Sequence, residues 1–69
     1  MLFGKSKKQK EAERLYKYGH GIGWEVGMQN IRLGKNLHDY DISKYDDSWS
    51  EDWRRGFNDA IYSLSSVKK

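Results

Sequence analysis

The chain has 69 residues, 33% of them charged, with a net charge of +3 and neither cysteine nor proline. A chain of this size hides only about 60% of the surface its unfolded form exposes, so one small domain is expected and a large enzyme pocket is excluded. The lack of cysteine excludes disulfides and thiolate metal sites. The opening MLFGKSKKQK has no signal-peptide apolar run, and no segment nears the roughly 20 apolar residues of a membrane span, which points to a cytoplasmic protein without a membrane partner.

Charge is unevenly placed along the chain. Residues 1–37 hold eight Lys/Arg against three Glu, whereas residues 38–69 hold five Lys/Arg against seven Asp/Glu. The elements follow in order. A basic tail over residues 1–8 leads into helix one, expected over about residues 7–33, where Ala12, Leu15, Gly19, Ile22, Val26 and Leu33 recur at helical spacing. Gly34 is placed to end it in a left-handed conformation. The segment 34–48, KNLHDYDISKYDD with its flanks, has the Asn, Asp and Ser content of a polar connection. Ser48 followed by Glu51 fits a capping box, and acidic Glu51 and Asp52 suit the positive end of a helix, so helix two is expected over about residues 49–66. The fold class predicted is all-α, a helical hairpin of two helices joined by a polar loop.

The stretch YGHGIGWEVG, residues 18–27, carries glycine at 19, 21, 23 and 27. Each costs about 1 kcal/mol relative to alanine inside a helix, so packing must compensate. On a helical wheel with Ala12 at the origin, Gly19, Gly23 and Gly27 fall at about 340°, 20° and 60°, bordering the apolar stripe. They form a candidate groove. Its expected occupant is the ridge Trp49, Trp53 and Phe57 of helix two, continued by Ala60 and Leu64. A dinucleotide fingerprint is broken by Trp24, and no P-loop motif exists, so no nucleotide cofactor is expected.

Gly21 falls opposite, in line with Lys10, Arg14, Lys17, Trp24 and Met28 at about 120° to 200°. A merely solvated face has little use for Trp and Met, so this basic stripe is the candidate binding surface, extended by Lys5, Lys7 and Lys8 and, on helix two, by Arg54. The competing reading is that Trp24 and Met28 pack on a dimer mate or on the connection. Arg55 reads as an intrahelical ion-pair partner of Glu51 and Asp59. The two histidines, His20 and His38, lack the neighbours of a metal site, the acidic cluster lacks an EF-hand pattern, and no nucleophile–base arrangement is present. No catalytic residue, metal or cofactor is expected.

The pattern Tyr18-Gly19-x-Gly21-Ile22 in a basic first helix, then a polar connection, then Trp49-Ser-Glu-Asp-Trp53-Arg-Arg-Gly56-Phe57-Asn-Asp-Ala60, resembles the ribosome modulation factor family and its small phage-borne relatives. The likeness covers roughly residues 10–62, with the Trp-x-x-Gly-aromatic-x-x-Ala part its most specific motif. The resemblance implies two helices joined by a linker, binding to the small ribosomal subunit through rRNA, and inactivation of ribosomes by pairing them. Two function classes follow: an RNA- or ribosome-binding module using the lysines on phosphates and Trp24 for stacking, or a small inhibitor or adaptor, phage- or mobile-element-borne, acting on a host protein. Two amphipathic helices can each cover only one side of the other, so either a homodimer, as a four-helix arrangement, or folding that stays marginal until a partner binds is expected.

Overall fold

A computed structural model describes residues 7–68. These residues form α1 over Lys7–Arg32, two short 3-10 helices over Ile42–Lys44 and Asp46–Trp49, and α2 over Glu51–Lys68. The protein is all-α, and no described helix is long and apolar enough to cross a membrane.

Helix α1 ends as its sequence suggests. Gly34 has a φ of 73°, its N–H donates to the Ile31 carbonyl at 3.1 Å, and the N–H of Lys35 donates to the Asn30 carbonyl at 2.8 Å. This pair of bonds is a Schellman motif, which satisfies carbonyls the helix end would otherwise leave open. The reversal leaves Leu33 59% exposed, correcting its expected place on the buried face: it lies beyond the last helical residue, where the wheel no longer applies. Asn30 is buried, and its side-chain amide donates to the Asp39 carbonyl at 3.1 Å, pinning the connection to α1.

Helix α2 begins two residues later than the capping box implied. The N–H of Arg54 donates to the Ser50 carbonyl at 3.0 Å, and the Trp53 N–H faces the buried Ser50 hydroxyl at 3.5 Å. Ser50 is therefore the residue that opens the helix. Trp49 belongs to the preceding 3-10 helix and is 76% exposed. Its expected place in the packing ridge is corrected: four-residue spacing to Trp53 places two side chains on one face only if both residues are in the same helix.

The helices pack as a hairpin with a long return. Contacts advance in the same sense along both: Gly19 lies against Trp53, Gly23 against Phe57 and Ala60, and Gly27 against Ile61 and Leu64. α1 and α2 thus point the same way, and the connection carries the chain back between them. Gly19, Gly23 and Gly27 are all buried on α1, yet what meets them is the backbone of α2 at Gly19 and Gly23 and aliphatic side chains at Gly27, and not the aromatic rings. A Cβ at Gly19 would fall on the Trp53 carbonyl oxygen, and one at Gly23 would lie 2.6 Å from that of Phe57. Gly56 returns the contact from α2, since a Cβ there would fall on the Tyr16 carbonyl oxygen and lie 2.9 Å from the His20 nitrogen.

Displaced from the groove, the large rings turn sideways and the connection closes over them. Tyr40 meets Phe57 edge-on at 4.7 Å between centroids, Tyr45 lies 5.6 Å from Trp53, and Trp53 stacks on Phe57 at 5.3 Å. Leu37 is buried with them, while Tyr40, Ile42 and Tyr45 are partly so. At about 1.5–3 kcal/mol per fully buried large apolar side chain, the main apolar stabilisation comes from Phe57, Ile61 and Trp53, which have 2% exposure or less.

Candidate functional site

The shared direction of the helices sets the geometry of the basic face. Among the glycine contacts, those nearest the amino end of α1 set Tyr16 and His20 against Gly56, and Gly19 against Trp53. Residues 7–11 are all exposed, and Leu15 is the first buried residue of α1. The first turn of α1 therefore stands as a solvated arm. This arm carries Lys7, Lys8 and Lys10, and no acidic residue lies in its first turn.

Lys7, Lys8, Lys10 and Lys17 are exposed and make no ion pair with a described carboxylate. Arg14 is different. Its Nη2 lies 2.6 Å from Glu11 Oε2 and its Nε 3.1 Å from Oε1, a two-pronged pair that lowers the Glu11 pKa and raises that of Arg14 through these hydrogen bonds. Its guanidinium thus already has an exposed anionic partner. Lys5 lies outside the described residues. Gly21, with open space around it, continues the face to Trp24 and Met28, which are 40% and 39% exposed.

Beside the stripe runs an aromatic ladder at four-residue steps. Tyr16 and His20 are 6.1 Å apart, and His20 stacks on Trp24 at 6.4 Å with 14° between planes. The foot of the ladder is tied to α2, because the Tyr16 hydroxyl donates a short hydrogen bond to the Asp59 carboxylate. That bond to the phenol, with some desolvation, raises the Tyr16 pKa. No local pattern marks this tie, since Tyr16 and Asp59 meet only through the helix register.

Arg55 is an intrahelical ion-pair partner, as expected, but of a different carboxylate. Arg55 pairs with Asp52 at 3.2 Å and not with Glu51 or Asp59, because Asp59 is taken by Tyr16. Its guanidinium lies 5.6 Å from the Tyr16 ring centre, and with Lys17, Tyr16, Ala12 and Glu13 it lines a cleft of about 450 Å³. Arg55 thereby stands beside Lys17. Arg54 is exposed and borders a depression that Glu51, Asp52, Arg55, Asn58 and Asp59 also line.

The acidic connection serves structure. Asp41 Oδ1 accepts from the Ser43 hydroxyl at 2.6 Å and the Ser43 N–H at 3.0 Å, and these bonds hold its pKa below the usual carboxylate value. His20 is committed to the ladder and His38 lies 6.3 Å from the Tyr40 ring. No group of three or more metal-ligating side chains comes together among the described residues. The face of α1 thus presents exposed cations beside a ladder of aromatic rings. No protein-family model matches the chain, and neither a curated protein nor a solved structure is found similar to it.

Proposed function

We propose that this chain is a small RNA-binding regulatory protein that docks on rRNA, with the small ribosomal subunit as its target, through the basic face of α1. The observation that carries this reading is the exposed arm: Lys7, Lys8 and Lys10 sit on the solvated first turn of α1, and Lys17, also exposed, lies two turns further on. Cations at the amino end of a helix oppose its dipole, so the arm is least favourable when alone and gains most from a polyanion. The resemblance of Trp53-x-x-Gly56-Phe57-x-x-Ala60 to the ribosome modulation factor family supports the same target.

The test is co-sedimentation with small ribosomal subunits and with an rRNA fragment at graded salt. Each phosphate contact on single-stranded RNA contributes a slope of about −0.7 in log affinity against log salt, so four lysine contacts predict about −3. Changing Lys7, Lys8, Lys10 and Lys17 together to Glu should abolish binding and leave the fold intact, since exposed charges contribute little to stability. Binding that survives both ribonuclease and this charge reversal would refute the proposal.

A second reading, an inhibitor or adaptor acting on a host protein, is favoured by Trp49. This ring is 76% exposed and neighbours Asp46, Asp47 and Glu51 in sequence, and a large exposed aromatic is a common anchor of protein interfaces. Under that reading Trp49→Ala removes partner capture, and the lysine changes alter mainly the association rate.

A further inference from the structure

We propose that the outer face of α1 carries a slot for one unpaired nucleobase, built from Trp24, Met28 and Arg32 and served by a phosphate track on Lys17 and Lys10. The inference rests on the RNA-binding reading and deepens it by naming the form of RNA taken.

Trp24, Glu25, Met28, Gln29 and Arg32 line a hollow of about 400 Å³. Trp24, Met28 and Arg32 are spaced by four residues, so their side chains stand one above the next along the helix, about 6 Å apart in rise. His20 stacks on the indole from the turn before it, with planes 14° apart, while Met28 stands on the turn after. The ring is therefore held on one side and 40% exposed. An aromatic held in place before binding loses less freedom when a ligand stacks on it.

The chemistry of the lining selects a base. The indole offers a stacking plane, the Met28 thioether a soft apolar floor, and Arg32 and Gln29 offer donors to the edge of a heterocycle. Glu25 at the rim repels phosphate from the hollow itself. The strand must then run towards the amino end, where Lys17 and Lys10 lie seven and fourteen residues before Trp24, rotated by only about 20° per step and rising about 10 Å each. A row of cations leading to one half-exposed ring complements a strand with its bases unstacked. A duplex keeps its base faces covered, so it can use the track and not the slot.

The test uses the full chain with a fluorescein-labelled single-stranded 12-mer of oligo(A) RNA and a blunt 12-base-pair RNA duplex, read by anisotropy across a salt series. Trp24→Ala should weaken the single strand about tenfold, leave the duplex affinity unchanged and leave the salt slope unchanged, whereas Trp49→Ala should change neither. Arg32→Gln should weaken the single strand several-fold. Circular dichroism confirms that each variant stays helical. If Trp24→Ala binds the single strand as the parent does while Lys10→Glu with Lys17→Glu does not, the slot is refuted and the basic face stands. If neither RNA binds in a salt-dependent way, the basic face is refuted and the slot with it.

Discussion

Substituting Gly19 and Gly21 by alanine should move stability in opposite directions. Both glycines sit inside α1, so alanine gains about 1 kcal/mol of helix propensity at either position. At Gly21 nothing lies within 4 Å of the added methyl, and the full gain should appear. At Gly19 the methyl would fall on the Trp53 carbonyl oxygen, 2.8 Å from the carbonyl carbon and 3.0 Å from Cα. These are backbone atoms that no rotamer change can move, so the helices must part. A separation of ~1 Å forfeits about a quarter to a half of the dispersion at each affected contact, and the overpacking cost of about 1–3 kcal/mol should lie at its upper end. Subtracting the propensity gain leaves a loss of about 2 kcal/mol. For a domain of this length each kcal/mol shifts Tm by about 4–8 °C, so Gly19→Ala should melt about 8–16 °C lower and Gly21→Ala about 4–8 °C higher. Thermal melts followed by circular dichroism give both values. Two variants of equal stability would refute the close approach of the helix backbones.

The Tyr16 tie predicts an alkaline weakness. The folded phenol holds its proton to higher pH than the unfolded one, so the tie contributes fully below the ordinary value of 10.0 and is lost as pH rises through the raised folded value; Tyr16→Phe should show a shallower fall in Tm between neutral and alkaline buffer. The two buried-face and exposed tryptophans should separate cleanly. The Trp53 indole N–H is buried without a hydrogen-bond partner among the described residues, so Trp53→Phe removes an unsatisfied donor and should cost about 1–2 kcal/mol, well below the about 3–5 of Trp53→Ala, whereas Trp49→Ala should stay within about 0.5 in urea titration. Leu37, Tyr40, Ile42 and Tyr45 add a third covering element to the two helices, so sedimentation at micromolar concentration should find a cooperatively folded monomer, and a dimer that dissociates only on unfolding would show that a second copy completes the core.

Helix placement was legible because it rests on local rules: the apolar period of α1, the glycine at 34, and the acids that open α2. The glycine groove was legible as a surface, since three small residues on one face leave a visible gap in volume. What filled it was not. A groove looks the same to a ring ridge and to an approaching backbone, and only Gly56, placed opposite Tyr16 and His20, makes the backbone approach possible from both sides. The relative direction of the helices was equally hidden, because wheel positions carry no sense of direction between elements. Leu37, Tyr40 and Tyr45 are isolated apolar residues in a polar segment without period, so nothing local marked the connection as part of the core. In the candidate site the lysines and Trp24 could be read from the wheel, whereas the Arg14–Glu11 pair, the Tyr16–Asp59 tie and the position of Arg55 depend on rotamers and register that composition does not encode.

The shared direction of α1 and α2 bears on how the chain comes to fold. Most small helical proteins form quickly because their contacts join near neighbours in sequence. Here the closest approach pairs Gly19 with Trp53 and Gly27 with Leu64, positions separated by about half the chain. Alone, α1 has little reason to persist, with its glycines uncovered and no acidic residue in its first turn. During synthesis it must wait until Trp53 to Leu64 have been made. Folding is then expected as a single event, with closure of the connection loop, and not helix growth, setting its rate.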